Sequence, residues 1–174
     1  MIRIASHFTF CSPEDIRRRA VIELDGQQTV TRLFSLDENA VESSRTLFFD
    51  GILSAEIISI KEQGGSGGNL IANYNYVDLS NGIPAIINKD GKPLILDFGT
   101  SSPVKINKLL PELSVILAPY STFEIIAACC YFPALALGVT PELGENRKTT
   151  VLLWENTDLI NKKTTLQTRI RKIY

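Results

Sequence analysis

The sequence predicts a single mainly β domain of the α+β class. Three observations predict it. Short β-rich runs punctuated by Asp-Gly pairs fill the first third, a block of capped apolar helical segments lies between Ser101 and Gly138, and two more β-rich runs close the chain. Its 174 residues suffice for one well-buried domain, or one domain with a small appendage.

The elements follow in order. Ile2, Ile4, Phe8 and Phe10 alternate with more polar residues, as in a half-buried strand. Residues 20–24 and 29–35 are two β-rich runs joined through Asp25-Gly26, a hairpin signal. Residues 45–49 form another strand, and Asp50-Gly51 is expected to turn the chain into a further strand over 52–60. Residues 64–68, Gly-Gly-Ser-Gly-Gly, then form a linker or mobile loop. They are not a phosphate cradle, because Asn69-Leu70 follows where a P-loop needs Lys and a hydroxyl residue. Strands are expected over 72–79, 83–88 and 93–98, the last two linked by a hairpin at Lys89-Asp-Gly-Lys92.

Helices come next. Ser102 before Pro103 gives a helix start carrying Val104, Ile106, Leu109 and Leu110, with Pro111 after it. Ser121 and Glu124 have the spacing of a capping box. The segment they open, 125–131, is apolar all round and should be fully buried. Pro133 restarts a helical turn that stops at Gly138. Residues 149–154 and 164–173 close the chain as strands, with Trp154 packed between sheets.

Composition excludes several classes. With 18 basic against 19 acidic side chains, no global field points to nucleic acid or an anionic membrane. The apolar stretches fall short of the roughly 18 residues that span a bilayer, and the first residues lack the apolar core of a signal peptide, so the expected location is cytoplasmic. Cys129 and Cys130 are adjacent and Cys11 is far away, which fits reduced thiols. With no Cys-x-x-Cys pair and His7 the only histidine, a zinc site is not expected. Five basic and no acidic residues occupy 161–174; without interleaved aromatics they read as protection of an edge strand.

Two segments carry a resemblance. Residues 20–24 with 48–53 (Phe-Phe-Asp-Gly-Ile-Leu), and residues 124–138 running into 150–154, resemble the opening and closing segments of the amidohydrolase superfamily of metal-dependent hydrolases. The resemblance implies a composite β-sandwich built from both chain ends, residues 1–60 and 149–174. It implies that a reduced segment of strands and helices, 69–148, replaces a catalytic (β/α)8 barrel, which takes about 250 residues. The helical segment 121–138 resembles the family's last barrel helix, with Phe132 where an asparagine is usual.

At the positions the resemblance assigns to metal, this chain departs from the family. Lys61 and Gln63 stand where the first barrel strand ends in a His-x-His pair, and Ser101 stands where the eighth strand supplies an aspartate, in Leu94-Ile-Leu-Asp-Phe-Gly-Thr-Ser101. A protonated lysine has no lone pair for a cation. Without a metal to acidify water, the family's mechanism lacks its first step. No metal and no cofactor are therefore expected, and no catalytic residue is assigned firmly.

Three functions stay open. The first is a degenerate, non-catalytic amidohydrolase-like protein acting as a binding or assembly module, forming a symmetric homodimer or joining a full-length amidohydrolase, with neither nucleic acid nor membrane as partner. In the dimer, one copy would cover the apolar helix of the other; alternatively, the chain's own middle segment would cover it. The second is a residual hydrolase of C–N bonds using Lys61, Glu62 and Asp97, with exposed strand-end charges the plainer reading of Lys61 and Glu62. The third is a small-ligand sensor with a pocket under residues 64–68. His7 as a general base, and Cys129 or Cys130 as a nucleophile, compete with surface and core packing roles.

Overall fold

The computed structural model of the chain describes residues 1–36, 45–64, 71–140 and 143–174. Apart from Gly64, the glycine-rich segment 64–68 lies outside the described residues. The described chain is mainly β with a few short helices, an α+β arrangement whose large sheet is mixed and curled.

The first strand, β1 (Ile2–Ser12), is the hub of that sheet. It pairs antiparallel with β2 (Asp15–Arg18) and β3 (Ala20–Leu24), and parallel with β5 (Thr46–Ser54). As expected from Asp25-Gly26, β3 and β4 (Thr29–Ser35) form an antiparallel hairpin; the Asp25 carboxylate accepts the Gln27 and Thr29 amides and ties the turn. The end of the chain returns to the same sheet. β9 (Leu152–Glu155) pairs with β5, and β10 (Arg169–Lys172) pairs with β9. The strand order is β10-β9-β5-β1-β3-β4-β8, where β8 is Arg147–Lys148, and β2 lies off this path. The basic strand β10 is thus an edge strand, with Arg171 bonded to Glu155 at 2.6 Å.

Alternation sorts the central strands between two cores. Ile52, Leu152 and Trp154 point to the helical side, whereas Leu53, Val151 and Leu153 point to a second cluster holding Ile4, Ile22, Leu24 and Val30. Trp154 is fully buried, its indole N–H donating to Ser54 Oγ at 2.9 Å, and it packs between the large sheet and the helical layer.

The helical layer comprises α1 (Pro103–Ile106), α2 (Leu110–Ile116), α3 (Thr122–Ile126), a π-helical turn (Ala127–Tyr131) and α4 (Phe132–Ala136). The capping box at α3 has both reciprocal bonds, Glu124 N–H to Ser121 Oγ at 3.2 Å and Ser121 N–H to Glu124 Oε2 at 2.7 Å. The π-turn has a local cause. Pro133 has no N–H to offer the Cys129 carbonyl four residues earlier, and that carbonyl instead accepts the Ile58 amide at 3.0 Å.

Two parallel strands, β6 (Asn75–Asp78) and β7 (Leu94–Asp97), cover this layer. Leu94 and Leu96 share one core cluster with Ile125, Ile126 and Cys129, so the chain's own middle segment buries the apolar helix.

Five sequence expectations are corrected. Asp50-Gly51 is not a turn: β5 runs through it, with an irregular register against β1 between Ser6 and Phe8. Gly51 has φ 146°, and a Cβ there would run into the Trp154 carbonyl oxygen, so this glycine serves a close approach. β5 ends at Ser54, and 55–60 is irregular, anchored by buried Ile57 and Ile60. Residues 83–88 form no strand, since Pro84 removes a ladder donor. Lys89–Lys92 is not a hairpin turn, because β6 and β7 run parallel. Finally, Pro111 lies in the first turn of α2, where its missing N–H costs nothing, so it does not end the preceding helix.

Candidate functional site

β6 and β7 both end in an acid, and Asp78 and Asp97 are register partners. The carboxyl ends of parallel strands are where α/β proteins place ligands and catalytic groups. Of the five residues singled out in sequence, Lys61, Glu62 and Ser101 gather around a fourth, Asp97, through a short web of bonds.

Asp97 is fully buried. Its Oδ1 accepts Ser59 Oγ–H at 2.7 Å and the Gly99 amide at 2.9 Å; its Oδ2 accepts the Lys61 amide at 3.0 Å and Tyr76 O–H at 2.9 Å. A carboxylate offers about four acceptor sites, and all four are taken. The same bonds explain the local path of the chain. Ser59 Oγ also accepts the Glu62 amide at 3.1 Å, shaping the turn that follows, and Glu62 Oε2 accepts the Ser101 amide at 2.8 Å. Burial, then the bond to Asp97, pushes the Tyr76 hydroxyl well above the ordinary tyrosine range, so it stays a donor.

Lys61 turns its side chain away from Asp97. Its ammonium pairs with Asp78 Oδ2 and donates to Ser80 Oγ at 2.8 Å. Burial works to raise the Asp78 carboxyl, but the Lys61 ammonium and the Ser80 hydroxyl and amide outweigh it and hold it below its ordinary value. Gly99, at φ 66°, lets the chain after β7 pass Ser80 closely; a Cβ there would meet Ser80 Cβ at 2.5 Å.

Gln63 and Ser101, the other two residues compared in sequence with metal-ligand positions, line one cleft of about 460 Å³ with Glu56, Ser59 and Thr140. Among the described residues, no group of three or more His, Cys, Asp and Glu side chains stands together in a way that could hold a metal ion. The arrangement is one of hydroxyls, amides and the Lys61 ammonium, with the carboxylates of Asp78, Asp97 and Glu62 already engaged.

The remaining candidates lie elsewhere. His7 is half-exposed on β1, its Nε2 3.2 Å from Asp50 and its ring edge-on to Phe48 at 5.1 Å. Cys129 and Cys130 are buried in the π-turn, and burial pushes both thiols up, Cys130 to about 12, the reverse of what a nucleophile needs. Sequence reasoning missed Ser59, Tyr76, Asp78 and Ser80. For Asp78 a signal existed: like Asp97, it closes a short apolar β run.

Among the described residues, no helix is long and apolar enough to cross a membrane. Comparison of the sequence with protein-family models and with curated protein sequences gives no match.

Proposed function

We propose that this chain is a degenerate, amidohydrolase-like protein without hydrolytic activity, acting as a binding or assembly module. The observation that carries the reading is the state of Asp97. All four of its acceptor positions are filled by groups of its own chain, so it can neither ligate a cation nor take a proton without losing a bond that shapes the loops around it. Lys61 adds to this, since a fixed ammonium sits between Asp78 and Ser80, where it repels a second cation. The joining of both chain ends in one sheet suits the composite domain of that family. Assembly with a second copy, or with a full-length amidohydrolase, is the partner side of the proposal and is read from the particle mass in solution.

A second reading has one observation in its favour. Lys61, Glu62, Asp97 and Ser101 converge at the carboxyl ends of two parallel strands, as residues of a residual C–N hydrolase would. Metal analysis of the protein, purified from medium supplied with zinc, iron and manganese, separates the two. The proposal expects only substoichiometric metal, while one equivalent per chain would overturn it.

A further inference from the structure

A second cavity, of about 500 Å³, is bordered by Phe10 of β1, Leu94 of β7 and Phe123 of α3. Its wall is apolar: Phe10, Ile16, Leu94, Phe123 and Ala127 supply it, with Phe123 held edge-on against Phe8 at 5.4 Å. Its rim is basic. Lys89, Lys92 and Lys162 line it with one acid, Glu124, and Asp90 stands beside them, its carboxylate accepting the Lys92 amide at 3.1 Å. Glu124 is already matched: it pairs with Lys89 at 2.7 Å and accepts the Ser121 amide, and Lys89 also lies 5.1 Å from the centre of the Tyr120 ring. Lys92 and Lys162 have no ion-pair partner among the described residues.

An apolar hollow of this size, with a few polar groups at its mouth, has the usual form of a small-molecule site, which runs from about 300 to 1,000 Å³. Its two unmatched ammonium groups select the charge of the occupant. A purely apolar molecule would leave them unused, and a cation would be repelled.

We propose that this cavity binds a small amphipathic organic anion, its aliphatic or aromatic body against Phe10, Leu94 and Phe123 and its carboxylate at Lys92 and Lys162. The inference rests on the binding-module reading and gives that module a ligand class. The site shares no lining residue with the Asp97 web or the Gln63–Ser101 cleft. Nothing in the proposal requires a reaction.

The test is a titration of the full chain with decanoate and with decan-1-ol, followed by calorimetry and by amide and aromatic NMR. Lys92 and Lys162 are exposed loop residues, so the double variant Lys92→Glu/Lys162→Glu keeps the fold. The expected result is saturable decanoate binding that shifts the signals of Phe10, Leu94 and Phe123, weakens about tenfold in the double variant, and exceeds decanol binding by a similar factor. Absence of saturable decanoate binding, equal affinity in the double variant, or shifts confined to another surface would each overturn the proposal. A negative titration leaves the metal result intact, and a metal-loaded protein would refute the non-catalytic reading without altering the titration, so the two failures are distinguishable.

Discussion

Asp78 and Asp97 are register partners at the ends of two parallel strands, yet they take opposite kinds of partner. Asp97 is buried and bonded to hydroxyls and amides, whereas Asp78 is partly exposed and bonded to the Lys61 ammonium. Lys61 serves both, its amide on Asp97 and its side chain on Asp78. A site in which one residue bridges two acids in this way is built as a clasp between the segment after β5 and the ends of β6 and β7.

Asp78 makes stability pH-dependent with a definite sign. Its carboxyl titrates lower in the folded chain than its ordinary 3.8, so its stabilisation is fully present above that value and is lost as the pH falls through the lowered one. Asp78→Asn is therefore expected to cost at most about 1 kcal/mol at neutral pH, since Lys61 is substantially exposed, and less in high salt. Chemical denaturation of both proteins from pH 7 down to acid should show the two curves converging as the carboxyl protonates.

Gly99→Ala tests the close passage of the chain past Ser80. Both the positive φ and the approach to Ser80 Cβ oppose a side chain, and a loss of about 2–3 kcal/mol is expected in urea unfolding. The same change at Gly26, where a Cβ meets nothing within 4 Å, should cost far less.

Cys11, Cys129 and Cys130 are all buried thiols outside any disulfide. In native protein at mildly alkaline pH, a thiol reagent should label Cys129 and Cys130 only at the rate of unfolding, while denatured protein should label all three at once. Rapid native labelling of either residue would return the nucleophile reading to contention.

Ser121→Ala removes half of the capping box and is expected to lower stability by about 1 kcal/mol, because the helix it opens is short and its first N–H groups have few other partners. Ser121→Asp should recover most of the loss.

What could be read in the sequence was what short-range chemistry decides. The Asp25-Gly26 hairpin and the Ser121–Glu124 box each depend on neighbours within a few residues, and each is present; of the closing run 164–173, whose partner is another strand, only Arg169–Lys172 is a strand. Asp50-Gly51 carries the same dipeptide as a hairpin, but its glycine answers to the Trp154 carbonyl, far along the chain. The pairing direction of β6 and β7 is likewise set by the layer they cover, not by Lys89–Lys92 between them. Of the candidate site, Lys61, Glu62, Asp97 and Ser101 were legible and do converge. Ser59, Tyr76 and Ser80 were not, because a hydroxyl in a strand or turn has no distinguishing pattern until its acceptor is known.

Asp97→Asn puts the central claim to the most direct test. The substitution keeps the shape of the side chain but turns one acceptor oxygen into a donor facing donors. If Asp97 is a buried tie, thermal unfolding should show a loss of about 3 kcal/mol, a fall of roughly 10 °C in Tm for a chain of this size. A reactive carboxylate kept at a cost to the fold would give the opposite, since its removal commonly leaves stability unchanged or raises it. An Asp97→Asn protein as stable as the parent, or more so, would contradict the account.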